Sequence, residues 1–395
     1  MSRSGAFCPR CGDEMSAVPD DRPDLPGARR DSERVLCDAC YFEAFDLVDA
    51  PEEIQVRVCA HCGAVHKGNR WVDVGADDYT DIAVEQVSEA LGIHVDAQSV
   101  ADADLTVAVD PGHGAASVSS PRIYRDLGCE VVTVNATPDG HFPGRNSEPV
   151  PENLEALRRL VATTDADVGI AHDGDADRAI FVDETGAFVA GEASLAALSA
   201  AALDPGDTTV AAVNVSQRLV DVCERVGADL ELTPIGSTNI ITRIRELRAA
   251  GERVPIAGEG NGGIFFPDYR LVRDGAYVGA KFLELVADRP VSELVAPYSD
   301  YENVRINLAY DTDAELDAML EAARTVAASA DADPDTTDGY RLDYGDAWVL
   351  VRPSGTEPKV RIYAEARDAD RARTLAEDVA GPLREALEDA RIGRE

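Results

Sequence analysis

Lysine is nearly missing from this chain of 395 residues: Lys67, Lys281 and Lys359 are the only three. Arginine supplies almost all of the positive charge, and 74 acidic residues face 37 basic ones, for a formal net charge of −37. So large an excess destabilises a compact state by self-repulsion unless salt screens it. The balance points to a salt-adapted, halophilic cytosol. It weighs against a general nucleic-acid-binding surface, which needs basic patches. Long apolar runs are missing too. No stretch is long enough to span a bilayer, and Met1 to Phe7 holds no apolar signal core. The expectation is a cytoplasmic protein with no membrane partner.

What is present starts with an apolar content of 45%, which is globular, on a length suited to about two to four domains. Cysteine is distributed unevenly. Six of the eight cysteines form three Cys-x-x-Cys pairs within the first 62 residues, while Cys129 and Cys223 stand alone in segments that read as core. Clustered pairs in a cytosolic chain point to metal rather than to disulfides. Cys8, Cys11, Cys37 and Cys40 offer the four thiolates of a closed, structural Zn²⁺ site. Metal binding would supply folding free energy to a small, Pro-rich segment. The third pair, Cys59 and Cys62, has no matching fourth. His61 or His66 could complete a second zinc site with it, and a pair of solvated thiols is the alternative.

The hydrophobic pattern divides the chain into four parts. Residues 1–96 form a zinc-ribbon-like module that ends in a helix over Tyr79 to Leu91, stopped by Gly92. From Leu105 the pattern becomes strand–helix alternation: strands near 105–109, 129–134 and 167–171, and helices near 119–127 and 150–163. That is an α/β domain over 97–204 with a mostly parallel sheet. The turn Asp204-Pro-Gly-Asp207 separates it from a second α/β domain over 205–299. After a linker from Pro297 to Val304, residues 300–395 read as a small antiparallel α+β domain.

Three loops carry chemistry. The first is Ala171-His-Asp173-Gly-Asp175-Ala-Asp177-Arg178-Ala-Ile180, placed between two apolar runs. Functional loops in α/β sheets lie beyond the C-terminal ends of strands, where Asp173 falls. Three carboxylates at alternate positions repel one another unless a cation neutralises them, and hard oxygen donors suit Mg²⁺. Arg178 beside them offers a planar fork to a phosphate oxygen. A calcium hand would also use Asp173, Asp175 and Asp177, with Glu184 in twelfth place, but it needs glycine where Arg178 stands. An acidic surface turn is the other alternative. Gly112-His113-Gly114 reads as a strand-to-helix turn rather than as a phosphate cradle.

The second loop, Gly258-Glu259-Gly260-Asn261-Gly262-Gly263, lets backbone approach a ligand while Glu259 and Asn261 offer groups suited to sugar hydroxyls; a flexible turn is the alternative. The third is Arg352-Pro-Ser354-Gly355-Thr356-Glu-Pro358, between two strands. Tight-turn amides, two hydroxyls and an arginine make a phosphate-binding nest, which a plain hairpin would not need.

In this order the three loops resemble those of the α-D-phosphohexomutase superfamily, over about Leu105 to Glu388. The resemblance implies two consecutive phosphohexomutase-type α/β domains, a C-terminal α+β domain and an isomerase activity. The substrates would be glucosamine, glucose or mannose 1- or 6-phosphates. It implies that Asp173, Asp175 and Asp177 hold Mg²⁺ and that Arg178 meets the transferring phosphoryl group. Glu259 and Asn261 would orient sugar hydroxyls, and Arg352, Ser354, Gly355 and Thr356 would grip the non-reacting phosphate. Members of this superfamily work from a phosphoserine in a Thr-Ala-Ser-His-Asn-Pro loop of a first domain. None of the six histidines here follows a serine, so that domain is expected to be missing. In its place, Cys59-Ala-His-Cys-Gly-Ala-Val-His-Lys-Gly-Asn-Arg-Trp71 resembles archaeal relatives of the large-ribosomal-subunit export adaptor. That resemblance implies contact with a ribosomal particle. The alternative function is therefore an adaptor-like protein carrying a non-catalytic phosphosugar-binding remnant.

Overall fold

A computed structural model describes residues 95–355 and 357–392, together with the backbone of six short strands between residues 16 and 72. Two compact units divide the chain, residues 1–96 and 97–395.

In the first unit, β1 (Ser16–Ala17) pairs antiparallel with β2 (Val35–Leu36). A separate antiparallel meander follows through β3 (Ala44–Asp46), β4 (Val56–Cys59), β5 (Val65–Lys67) and β6 (Arg70–Val72). The zinc expectations for Cys8, Cys11, Cys37, Cys40, Cys59 and Cys62 concern side chains outside the described residues, as does the helix over 79–91.

The second unit opens with α1 (Ala97–Asp102), β7 (Thr106–Asp110), α2 (Ser120–Asp126), β8 (Glu130–Thr133), α3 (Glu155–Thr164) and β9 (Val168–Ala171). The hairpin β10 (Ile180–Asp183) and β11 (Phe188–Val189) completes a sheet of order β11-β10-β9-β7-β8. Strands β8, β7 and β9 are parallel, but β10 runs antiparallel to β9 and β11 antiparallel to β10. The sheet is thus mixed, not mostly parallel. The loop 172–179 is too short for the crossover that a parallel neighbour requires, so the chain folds straight back. The helical spacing of α3 and its leading turn places Leu154, Leu157 and Val161 together, packed on Ala108, Ala171 and Val182.

After α4 (Gly191–Ala202) come β12 (Thr208–Ala212), α5 (Gln217–Val226), β13 (Asp229–Thr233), α6 (Ser237–Ala249), β14 (Ala257–Gly258) and β15 (Ile264–Phe265). Their sheet has the order β13-β12-β14-β15, with β12 parallel to both neighbours. Strand β14 starts only at Ala257, since Pro255 has no amide to give a ladder. Helix α5 starts where the Ser216 hydroxyl accepts from the Arg218 amide and stops at Gly227, with φ 82°.

Helix α7 (Gly275–Val286) then returns to the first sheet, where Phe282 stacks on Phe181 of β10 with ring centroids 3.8 Å apart. Helix α8 (Val291–Val295) leads out. The last part holds β16 (Glu302–Ala309), α9 (Asp313–Ser329), β17 (Pro334–Asp335), β18 (Tyr340–Asp343), β19 (Ala347–Pro353), β20 (Lys359–Ala366) and α10 (Ala369–Ile392). Its antiparallel sheet has the order β16-β20-β19-β18-β17. Met319 and Ala323 of α9 and Val379 and Leu383 of α10 cover Val349, Val360 and Ile362. Among the described residues, no helix is long and apolar enough to cross a membrane.

Candidate functional site

The loop after β9 gathers Asp173, Asp175 and Asp177 so that each presents an oxygen, all within 4.8 Å of one another. Asp173 is buried, Asp175 exposed and Asp177 half-buried. Strands, not helices, flank the loop, which rules out a calcium hand. Burial pushes the Asp177 carboxyl above its ordinary value, Arg273 pulls it down, and the charges of Asp173 and Asp175 add to the rise. The turn at Gly112 to Gly114 is the strand-to-helix turn read from sequence, and the Ala115 amide beyond it donates to the Gly174 carbonyl at 3.0 Å. Fully buried His172 donates from Nδ1 to the Arg178 carbonyl at 2.8 Å.

Arg178 is clamped. Its Nε donates to Asp173 at 2.5 Å, and its Nη1 and Nη2 donate to the two oxygens of Glu148 at 2.9 and 3.1 Å. The fork that sequence assigned to a phosphate thus holds a carboxylate. Glu148 is delivered by the loop after β8, which a buried pair anchors: Arg145 Nε donates to Asp110 at 3.0 Å. Arg145 Nη2 also reaches the His172 carbonyl at 2.6 Å, tying that loop to the carboxylate cluster.

The glycine-rich loop is packed rather than flexible. A Cβ on Gly262, whose φ is +87°, would lie 2.5 Å from the Ala179 carbonyl, so this loop sits directly on the end of the carboxylate loop. Asn261 is exposed, and its side-chain carbonyl accepts from the Gly263 amide at 3.0 Å. Its amide nitrogen is then the group it can turn to a ligand. Arg273, which no sequence spacing marked, joins the two loops. It donates from Nη1 to Glu259 at 2.9 Å and from Nη2 to Asp177. Next to it, Asp274 caps α7, and the Gly275 amide donates to the Ala176 carbonyl at 2.9 Å.

The third loop lies in the C-terminal sheet, between β19 and β20. Ser354 is half-buried, its amide donating to the Lys359 carbonyl at 2.8 Å; Gly355 is exposed; Thr356 lies outside the described residues. Arg352 pairs with Asp338 at 3.0 Å, and Asp338 also accepts from the Ile235 amide at 3.0 Å. Asp338 therefore connects this loop to the turn between β13 and α6.

These loops fall in matched family models. The models for phosphoglucomutase/phosphomannomutase match in order: alpha/beta/alpha domain II over residues 83–186, domain III over 183–301 and the C-terminal domain over 306–381. A Methanopyrus kandleri protein named "Probable phosphoglucosamine mutase" is 38% identical over 323 residues, covering 80% of this chain and 70% of its own. The chain belongs to the phosphohexomutase family. A Thermococcus kodakarensis phosphoglucomutase/phosphomannomutase is 38% identical over 322 residues, 80% of this chain and 69% of that one. The crystal structure of a phosphoglucomutase/phosphomannomutase family protein from Burkholderia thailandensis superposes with a TM-score of 0.64 at 28% identity. This chain spans 64% of that structure, which covers 78% of this chain. The NMD3 N-terminal domain model matches residues 8–121, overlapping the start of the domain II match. Within the family frame, Asp173 to Arg178 fall in domain II, Glu259, Asn261 and Arg273 in domain III, and Arg352 to Gly355 in the C-terminal domain.

Proposed function

We propose that this chain binds a hexose phosphate together with Mg²⁺ and acts in phosphohexomutase-type intramolecular phosphoryl transfer. Asp173, Asp175 and Asp177 would hold the ion. Their oxygens converge within 4.8 Å, the donors are hard, and Asp177 Oδ1 is buried with no hydrogen-bond partner among the described residues. Bound Mg²⁺ would supply positive charge at phosphoryl oxygens. Arg178 would meet the phosphoryl group in exchange for Glu148. Glu259 and the Asn261 amide would orient hydroxyls, and Arg352, Ser354, Gly355 and Thr356 would take the non-reacting phosphate. Relatives named for glucosamine, glucose and mannose phosphates support that substrate class.

The observation that carries this reading is the convergence of three carboxylates beside Arg178, linked by one arginine to Glu259. No serine precedes any of the six histidines, so the phosphoryl group would be supplied from outside these loops, by a hexose 1,6-bisphosphate or another chain. A mutase assay in molar KCl with Mg²⁺ and glucose 1,6-bisphosphate tests it, offering glucosamine, glucose and mannose 1-phosphates in turn. Turnover that disappears in Asp175→Ala supports the reading. Turnover unchanged in that variant would sink it.

The match of residues 8–121 to the NMD3 N-terminal domain supports a second reading for the first unit. We propose that its cysteine pairs hold structural Zn²⁺ and that it docks on a ribosomal particle in the cytoplasm. Co-sedimentation with large subunits in native salt, lost in Cys37→Ser, would support this; no co-sedimentation would dispose of it.

A further inference from the structure

Arg273 holds one carboxylate from each of two loops. Nη1 donates to Glu259 Oε2 at 2.9 Å, and Nη2 donates to Asp177 Oδ2. All three side chains are shielded, at 20%, 14% and 24% exposure, so solvent screens these pairs only in part. The arrangement is built. A Cβ on Gly263 would come 2.7 Å from Arg273 Cδ, so glycine there is what admits the side chain. Asp274, the next residue, is fixed as the cap of α7 by the Tyr277 amide at 3.2 Å. The guanidinium is planar, with a fork that can serve two acceptors at once.

We infer that Arg273 is a positioning residue that couples divalent-cation affinity at the aspartate loop to what Glu259 engages. The inference rests on the reading of Asp173, Asp175 and Asp177 as a cation site. Asp177 serves both Arg273 and the cation, and two positive charges on one carboxylate compete. Glu259 draws Arg273 away from Asp177. When Glu259 is drawn to a ligand or replaced by glutamine, the guanidinium falls wholly to Asp177 and opposes the cation more strongly. A ligand that engages Glu259 and a cation that engages Asp177 therefore sense each other through one side chain, and by linkage each changes the other's affinity by the same factor.

The test needs neither turnover nor a phosphosugar. Mn²⁺ and Mg²⁺ affinities of the full chain in molar KCl are measured by calorimetry for the unaltered protein, Glu259→Gln, Arg273→Gln and the double variant. Glu259 does not touch the aspartate cluster, yet Glu259→Gln is expected to weaken cation binding by about fivefold or more, the lower end of ordinary site–site coupling. In the Arg273→Gln background the same change is expected to have no effect. Arg273→Lys is expected to behave like Arg273→Gln, since an ammonium lacks the fork. Circular dichroism of each variant separates these outcomes from unfolding. Equal effects of Glu259→Gln in both backgrounds, or none in either, would overturn the coupling while leaving the cation site standing. Failure of the unaltered chain to bind either cation would overturn both.

Discussion

Arg218 of α5 and Glu365 of β20 form an ion pair at 3.0 Å, with side-chain exposures of 5% and 0%. Buried pairs hold only when their remaining hydrogen-bonding capacity is filled. Here Glu365 Oε1 also accepts from the Ser216 hydroxyl, the Gln217 amide and Trp348 Nε1, at 3.0, 2.5 and 3.1 Å. Arg218 donates further to the carbonyls of Tyr298 and Tyr301 at 2.6 and 2.5 Å. The network fastens the C-terminal sheet, which carries Arg352 and Ser354, to the second α/β sheet. Glu365→Ala would leave Arg218 buried without its partner. The expected loss is about 3–5 kcal/mol of stability, read as a lower urea midpoint. A loss within about 0.5 kcal/mol, as for an ordinary surface substitution, would contradict it.

Arg178, proposed above to meet the phosphoryl group, already holds a carboxylate. Glu148 occupies both Nη groups of Arg178 and is itself half exposed. Such a pair is worth little, so releasing it is a small gain. Glu148→Gln is expected to tighten glucose 6-phosphate binding by about two- to fivefold by calorimetry. Weaker binding in the variant would mean that Glu148 orients Arg178 rather than competing for it.

Helix α7 approaches the aspartate loop as closely as glycine permits. A Cβ on Gly275 would stand 2.3 Å from the Arg178 carbonyl and 2.8 Å from that of Ala176. Gly275→Ala is expected to cost about 1–3 kcal/mol and to weaken cation binding, because the clash falls on the loop backbone. Chemical denaturation and cation titration of the variant check both, and unchanged stability with unchanged cation affinity would contradict them.

His172 supplies a pH signature. Burial holds its imidazole below its ordinary pKa, partly opposed by the bond to the Arg178 carbonyl and by Asp173. Its Nε2 finds no partner among the described residues, so protonation there is unrewarded. A histidine lowered in the folded state binds fewer protons folded than unfolded. Its contribution is present above about 6.5, the unfolded value, and is lost as pH falls below it. The difference in stability between the unaltered chain and His172→Gln should therefore shrink as pH drops from 8 to 5. A difference that is flat across this range would contradict the sign.

Sequence carried much of this fold because the signals were local. Helix α5 runs over Gln217–Val226, and both its ends, a serine cap and a glycine stop, are local signals. The aspartate loop was legible because its carboxylates sit at alternate positions behind a strand. Helix α7 was not: its residues are apolar on most sides, since it packs against α1, α2 and α4 as well as Phe181 of the first sheet, so no amphipathic stripe marks it. Arg273, Glu148 and Asp338 escaped for another reason. Their partners lie 96, 30 and 103 positions away in the chain, and only the folded topology brings them together. The antiparallel turn-back at β10 was hidden because an apolar run reads the same in either direction.

The proposed chemistry depends on these loops binding a hexose phosphate with Mg²⁺. The most direct measurement is calorimetric titration of glucosamine 1-phosphate into the full chain in molar KCl, with and without Mg²⁺, and into Asp175→Ala. Asp175 is exposed, so its loss would remove a proposed cation ligand without opening the core. Saturable binding that requires Mg²⁺ and disappears in Asp175→Ala is expected. No saturable binding by the unaltered chain, or binding that persists without Mg²⁺ and in the variant, would contradict it.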